Sequence, residues 1–493
     1  MTILAKISKS INMLQNKVRE KIQELQIDFT PSRVNEQNIL SGFKALKLTG
    51  RFQEFNIFKK RGYCISVIMS YLIKIVLSSS KTVHGYMRDP VWENKHPFGK
   101  DVLYRLKNDE HVNWRLILWR IAELFLKTTS QSTGTASGNP RYAILDDTVL
   151  PKAGRKLEFI GRVWDHVTQR SVLGFKLLTM VYWDGRSSIP LDFSIHREKG
   201  KNEDRPYGIT KRDLKKCFSR KRVKESDSNK RVKELDISKI EMSLRMFYRA
   251  VYRCIGIDYV LVDSWFTCSA LIRAVRGVKG QTIHLIGMYK IATTKFLFAG
   301  EKLTYGQINN KLGKAKRCRS LRYHYKRAEV MLDDMPAVLF FSRHGKRDKW
   351  KVILTTDTRL NFIKVIEHYS VRWTIEVFYK ESKQLLNLGK CQSNHFDAQV
   401  ADTTISMITY ILLTLRNRYD NYESMGALFR TMNAEVLRET LDKRICGLMV
   451  EMLQVVAIVF EIDIDVLIEK LFTSDAAQDL MFRMLDGRAA ETG

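Results

Sequence analysis

The chain has 493 residues, enough for roughly three domains with buried cores, and its 45% apolar and 10% aromatic content excludes global disorder. A formal charge of +30 calls for a polyanionic partner, either nucleic acid or an anionic membrane surface. A membrane span is not expected, because the most apolar run, YCISVIMSYLIKIVL at 63–77, is short and contains Lys74.

In chain order, the first predicted element is an amphipathic helix. Ile7, Ile11, Leu14, Val18, Ile22 and Leu25 recur at helical spacing. The stripe lasts under four heptads, which favours a helix packed on its own domain over a coiled-coil seam. The same stretch lacks the continuous apolar core and small-residue cleavage site of a signal peptide. Further helices are expected at 36–48, 63–78, 100–108 and 113–127, making residues 1–135 a helical domain. Within it, GKDVLYRLKNDEHVNW (99–114) offers Lys100, Tyr104, Arg105 and Lys107 to phosphates or base edges. TTSQSTGTASGNP (128–140) reads as a linker. Strands follow at RYAILDD (141–147), VLGFKLLTMVYW (172–183) and SSIPLDFSIH (187–196), the last two as a hairpin through Asp184 and Gly185. Residues 199–233 hold 14 Lys+Arg against 5 Asp+Glu. Such a run reads as a solvated, mobile loop, here suited to clamping a DNA backbone.

A helix at about 236–254 leads to the strand DYVLVDSW (258–265), a helix at 266–277 and the strand TIHLIGMYK (282–290). Residues 291–357 are β-like, and one long helix is expected from Phe362 to about Leu386. The tail, about 398–493, is helical and strongly apolar at LMVEMLQVVAIVF, which suggests packing or subunit contact. Residues 421–493 hold 7 Lys+Arg against 13 Asp+Glu, a net of −6, so the cationic surface belongs to the rest of the chain. The seven cysteines are scattered without a CxxC pair, which suits reduced thiols in a cytoplasm.

The chemistry concentrates in three places. Asp146 and Asp147 end an apolar strand, and Asp263 ends another. Carboxylates at the C-terminal ends of adjacent strands converge where α/β sheets hold ligands. In YSVRWTIEVFYKESKQ (369–384), Tyr369, Arg372, Glu376 and Lys383 fall within roughly 60° of one another around a helix. A carboxylate flanked by an arginine, a lysine and a phenol matches what phosphodiester chemistry requires. Three acidic oxygen donors suit Mg²⁺ or Mn²⁺. Two such ions about 4 Å apart can hold the attacking and leaving oxygens at phosphorus. Singly, each acid is weak evidence, because an Asp ending a strand is more often a turn or cap residue; the conjunction carries the weight.

These residues resemble a bacterial insertion-sequence transposase of the DDE type, in the group marked by a Tyr-Arg-Glu-Lys signature. LDDTVLPK resembles the family's first-acid motif, YVLVDSWF its second, and YSVRWTIEVFYKESK its third in full spacing. The family's first acid is normally followed by Thr, which assigns Asp147 and leaves Asp146 as the alternative. The resemblance implies Asp147, Asp263 and Glu376 as catalytic acids holding two Mg²⁺ ions, with Mn²⁺ able to substitute. It further implies Tyr369, Arg372, Lys380 and Lys383 as phosphate contacts. Trp373 would lie near a flipped base, or else in the core, and Tyr104 and Arg105 would read DNA.

The implied fold is a ribonuclease-H-like α/β core formed by residues 140–290 and 358–397. A β-domain at 291–357 would be inserted between the second and third acids, with helical domains at 1–135 and 398–493 on either side. The implied function is cut-and-paste transposition in a bacterial cytoplasm, at the nucleoid. A homodimer would act on terminal inverted repeats and target DNA, by way of hairpin ends. The rivals are a nuclease of the same fold without strand transfer and a non-catalytic DNA-binding derivative. A membrane-surface protein is disfavoured by the acids.

Overall fold

A computed structural model of the chain describes residues 55, 57, 62–78, 82–88, 97–132, 139–290, 294–345, 348–420 and 474. The predicted helices at 7–25 and 36–48, and the apolar tail with its subunit contact, lie outside these residues. The described residues divide into two compact units, one within 63–100 and the other holding residues 101–420 together with 55, 57 and 62. In the smaller unit, the apolar run at 63–77 forms α1 (Ile65–Leu77), which buries Ile68, Met69, Leu72 and Ile73. A short helix, α2 (Val83–Met87), follows, capped by the Thr82 hydroxyl.

The larger unit opens with α3 (Lys100–Lys107) and α4 (Trp114–Ser132), then β1 (Tyr142–Pro151), β2 (Gly161–Asp165), β3 (Arg170–Trp183) and β4 (Ser188–His196). Next come α5 (Lys211–Leu214), α6 (Asp227–Glu234), α7 (Lys239–Tyr252), β5 (Tyr259–Val262), α8 (Ser269–Arg276) and β6 (His284–Tyr289). The stretch after it carries β7 (Lys295–Phe298), β8 (Glu301–Thr304), α9 (Tyr305–Lys311), β9 (Lys316–Cys318), β10 (Tyr323–Leu332), β11 (Met335–Arg343) and β12 (Lys351–Thr355). The unit ends with α10 (Phe362–Ser370), α11 (Trp373–Leu385) and α12 (Phe396–Asp420).

Among the described residues, the strands join one mixed sheet of 12, in the order β2-β3-β1-β5-β6-β12-β11-β10-β7-β8, with β4 on β3 and β9 on β10. β1, β5 and β6 run parallel, and β3 is antiparallel to β1. Helices cover both faces, which is why Ala143–Leu145 and Val260–Val262 are apolar at every position and fully buried. The strands between β6 and β12 extend this sheet, because β12 pairs directly with β6.

The hairpin through Asp184 and Gly185 forms as read. Gly185 takes φ +91, and the Asp184 carboxylate accepts the Arg186 and Ser187 amides at 3.0 and 2.7 Å. Two expectations change. The single helix from Phe362 becomes α10 and α11, because the backbone tightens at the junction. Val371, Arg372, Thr374 and Ile375 each donate to the carbonyl three residues back, which is 3₁₀ bonding. The basic run 199–233 is also more than a solvated loop. Arg222 lies 2.5 Å from Glu158 and 3.2 Å from Asp397, with all three side chains no more than 3% exposed. Arg231, also in the run, pairs with Glu234 at 3.2 Å; outside the run, Arg115 joins Asp192 and Glu234, and Arg249 joins Asp192. Burial opposes ionisation of Asp192, but Arg115 and Arg249 outweigh it and hold the carboxyl near 2.

α12 is long and apolar enough to cross a membrane, yet 89% of its apolar window is buried inside the protein, as in a core helix. At the end of β4, burial pushes His196 down to about 4. Its ring meets the Ser194 hydroxyl at 2.6 Å and the Ile237 carbonyl at 3.1 Å. The unfolded chain therefore binds a proton here more readily than the folded one. Stability from this group is intact above about pH 6.5 and is lost as pH falls towards 4, by about 3 kcal/mol at the acid end. His196→Gln should flatten that part of a melting-temperature profile against pH.

Candidate active site

The site grows from the register of two parallel strands. Leu145 on β1 lies level with Val262 on β5, so Asp146, in the middle of β1 and not at its end as expected, emerges beside Asp263, which follows the C-terminal end of β5. Residues level in a sheet point to the same face, and neighbours along a strand point to opposite faces. Asp147 therefore points to the opposite face from Asp146, although its charge still reaches Asp263 and, after burial, helps to raise that carboxyl. It meets Lys239 of α7 at 3.0 Å and Lys176 of β3 at 3.4 Å.

α11 lies against the Asp146 face. Tyr379 donates its hydroxyl to the Asp146 carbonyl at 2.8 Å, and Lys383 reaches the Thr148 hydroxyl at 2.6 Å. Arg372, at the 3₁₀ junction, reaches the Glu376 carboxylate at 2.5 Å and Asp146 at 3.5 Å. Its guanidinium also lies 5.7 Å from the centre of the Tyr369 ring. Thus Tyr369, Arg372, Glu376, Asp146 and Asp263 form one neighbourhood, with Lys383 one residue pair further along β1. Lys380 and Trp373 are on α11 but exposed, Trp373 at 62%. Tyr104 and Arg105 of α3 line a separate surface hollow with Asp101, Glu110 and Arg220. Lys107, offered by the sequence as a DNA contact, is instead buried against Asp402 at 2.6 Å.

The electrostatics single out Asp146. Burial first, and then the charge of Asp263, push its carboxyl up to about 7. Burial raises Asp263 as well, against the two backbone amides of Trp265 and Phe266 that its carboxylate accepts. Two partly buried carboxylates sharing a site are costly without positive charge between them. Burial also lowers Lys383 and raises the Tyr369 phenol.

This donor set fits a hard divalent cation, since it offers carboxylate oxygens whose repulsion a cation relieves. Among the described residues, no three metal-ligating side chains are gathered closely enough to hold an ion together. The Glu376 carboxylate is instead held by Arg372 at 2.5 Å.

Two supporting features were not singled out from the sequence. Trp265 follows Asp263 by two residues and is 52% exposed, with Lys239 and Lys290 at 5.2 and 5.6 Å from its ring. Its signal was an aromatic placed directly behind the acid in VLVDSW. Gly287 of β6 lies level with Val262. A Cβ there would sit 2.2 Å from the Thr267 hydroxyl and 2.8 Å from a Val262 methyl. That hydroxyl donates to the Asp263 carbonyl at 2.8 Å, so the glycine lets Thr267 hold the acid's turn. Gly287→Ala should cost about 1–3 kcal/mol in denaturant unfolding by overpacking and lower whatever activity depends on Asp263.

A family model described as DDE superfamily endonuclease matches residues 70–286, a span that includes Asp146, Asp147 and Asp263 and ends before Glu376. The match supports a DDE transposase or nuclease family, whose members act on DNA, typically with divalent metals, through a ribonuclease-H-like α/β core. No curated protein matches the chain.

Proposed function

We propose that this chain is a cut-and-paste transposase. It binds the terminal inverted repeats of its element, cleaves strands there, and joins the freed 3′-hydroxyls to target DNA. The observation that carries the reading is the pairing of Asp146 with Asp263 beneath the Arg372–Glu376 pair of α11. Asp146, Asp263 and Glu376 would hold Mg²⁺, or Mn²⁺ in its place, and Asp146 takes the first-acid role that the following Thr148 gave to Asp147. When bound, the divalent ions lower the pKa of the attacking water or hydroxyl and neutralise the departing oxygen.

The chain's own residues position the DNA. Arg372 lies between Asp146 and Glu376, where it can move from Glu376 to a phosphate once the carboxylate turns to its ligand role. Lys383 and Tyr369 approach the same phosphate from either end of that stretch, and Lys380 extends the cationic face outward. Trp373, exposed on the same helix, is free to stack on an unpaired base. Tyr104 and Arg105 serve duplex recognition, and two protomers pair the two ends.

The test is a joining assay with a plasmid carrying the DNA that flanks this reading frame. Metal-dependent cleavage followed by covalent joining supports the proposal. Cleavage without joining would leave a nuclease of the same fold, and binding without cleavage a non-catalytic derivative.

A further inference from the structure

We propose that the β9–β10 hairpin is a second DNA-binding surface, gripping the backbone of the same duplex about six base pairs from the phosphate being cut. This rests on the function proposed above and adds a site to it.

The first observation is charge. Between Lys311 and Arg327 stand eight cations and no acid. Three have partners: Lys311 pairs with Glu301, Arg327 with Glu329, and Lys326 donates to the Asn309 and Leu312 carbonyls. The other five, Lys314, Lys316, Arg317, Arg319 and Arg322, are exposed, and their side chains have no partner among the described residues. Unpaired like charges crowded on one short hairpin repel one another, and a polyanion relieves that repulsion.

Shape agrees. Lys314, Lys316, Lys326, Arg327 and Arg359 line a hollow of about 430 Å³ to which no carboxylate contributes. Part of its wall is Tyr325 stacked on Phe362, with ring centres 4.3 Å apart. At the hairpin tip, Arg322 adopts φ +56, a left-handed conformation that glycine or asparagine takes more cheaply. A cation is kept at a position where backbone geometry favours another residue.

The third observation is placement, and the sheet register supplies it. Val262, next to Asp263, is level with Gly287 of β6; Tyr289 of β6 is level with Val352 of β12; Lys351 with Ser342 of β11; and Arg343 with His324 of β10. Following these pairs keeps to one edge of the sheet, and the tip at 319–322 leaves β10 from that edge. The tip and the acids therefore face the same side. Four strand steps separate β5 from β10, which is roughly 19 Å at about 4.8 Å per strand. At about 3.4 Å per base pair, that is about six base pairs of duplex.

The experiment compares the full chain with a variant carrying Lys314→Gln, Lys316→Gln, Arg317→Gln and Arg319→Gln. Duplex affinity is titrated against salt with metal chelated, and phosphate-ethylation interference is mapped on the unaltered protein. The expected result is a slope of log affinity on log salt shallower by about 2 to 4 in the variant. Interference about six base pairs from the cut should also appear in the unaltered protein. An unchanged slope in a variant with unaltered circular dichroism overturns the proposal. So does the absence of that interference, which needs no variant to fold.

The two readings fail separately. Hairpin-dependent duplex binding by a protein that cuts nothing sinks the transposase reading and leaves the hairpin. Metal-dependent cutting with no hairpin contribution does the reverse.

Discussion

Asp146→Asn should reduce metal-dependent strand cleavage by on the order of a thousandfold with little change in folding, whereas Asp147→Asn should chiefly destabilise the protein. The two carboxylates are neighbours in sequence and answer to different surroundings. Asp146 shares a face with Asp263 and Arg372, and its carboxyl is held near 7 by burial and by that aspartate. On the proposed reading Asp146 is a metal ligand; removing such a ligand forfeits several kcal/mol of charge stabilisation, and each 1.4 kcal/mol is tenfold in rate. Asp147 neutralises Lys239 and Lys176, and the Lys176 side chain is only 4% exposed. Its loss leaves a buried ammonium without its carboxylate, at a cost of roughly 3–5 kcal/mol. Cleavage rates and urea unfolding on both variants check the pair. The opposite division, with Asp147 abolishing cleavage and Asp146 tolerated, would return the first acid to the position that the following threonine favoured.

Arg222→Ala should unfold the larger unit more than any change on the exposed basic surface. Its guanidinium makes two bonds to Glu158, at 2.7 and 2.5 Å, and two to Asp397, at 3.2 and 3.3 Å. The Ser228 hydroxyl and Arg220 complete the setting of Asp397. With Arg222 gone, two carboxylates remain buried and under-compensated, which costs about 3–5 kcal/mol. Exposed neighbours such as Lys215 and Lys221 should change stability by under about 0.5 kcal/mol when replaced by Gln. Denaturant midpoints of the three variants decide the matter. If Arg222→Ala melts with the surface variants, the run 199–233 is held by something other than this network.

The contrast shows which parts of the protein local sequence carries. YAIL and YVLV read as buried strands because a strand covered on both faces must be apolar throughout, and both are. The Asp184–Gly185 turn was readable because its chemistry is local. The clustering of Tyr369, Arg372, Glu376 and Lys383 was readable from helical spacing, yet the 3₁₀ junction at Arg372 that divides them between α10 and α11 was not, since no glycine or proline marks it. Which of Asp146 and Asp147 faces Asp263 depends on the β1–β5 register, a pairing of strands 117 positions apart. Arg222 looked like one more solvated cation because its partners lie 64 and 175 residues away. Composition counts charges and is blind to where their partners will be.

The most direct test of the central claim is a strand-cleavage and joining reaction on element-end DNA in Mg²⁺, run with the unaltered chain, Asp263→Ala and Glu376→Gln. The account predicts joined products from the unaltered chain. Both variants should show none, yet retain end binding within a few-fold. Joined products from either variant, at a rate near that of the unaltered chain, would contradict it.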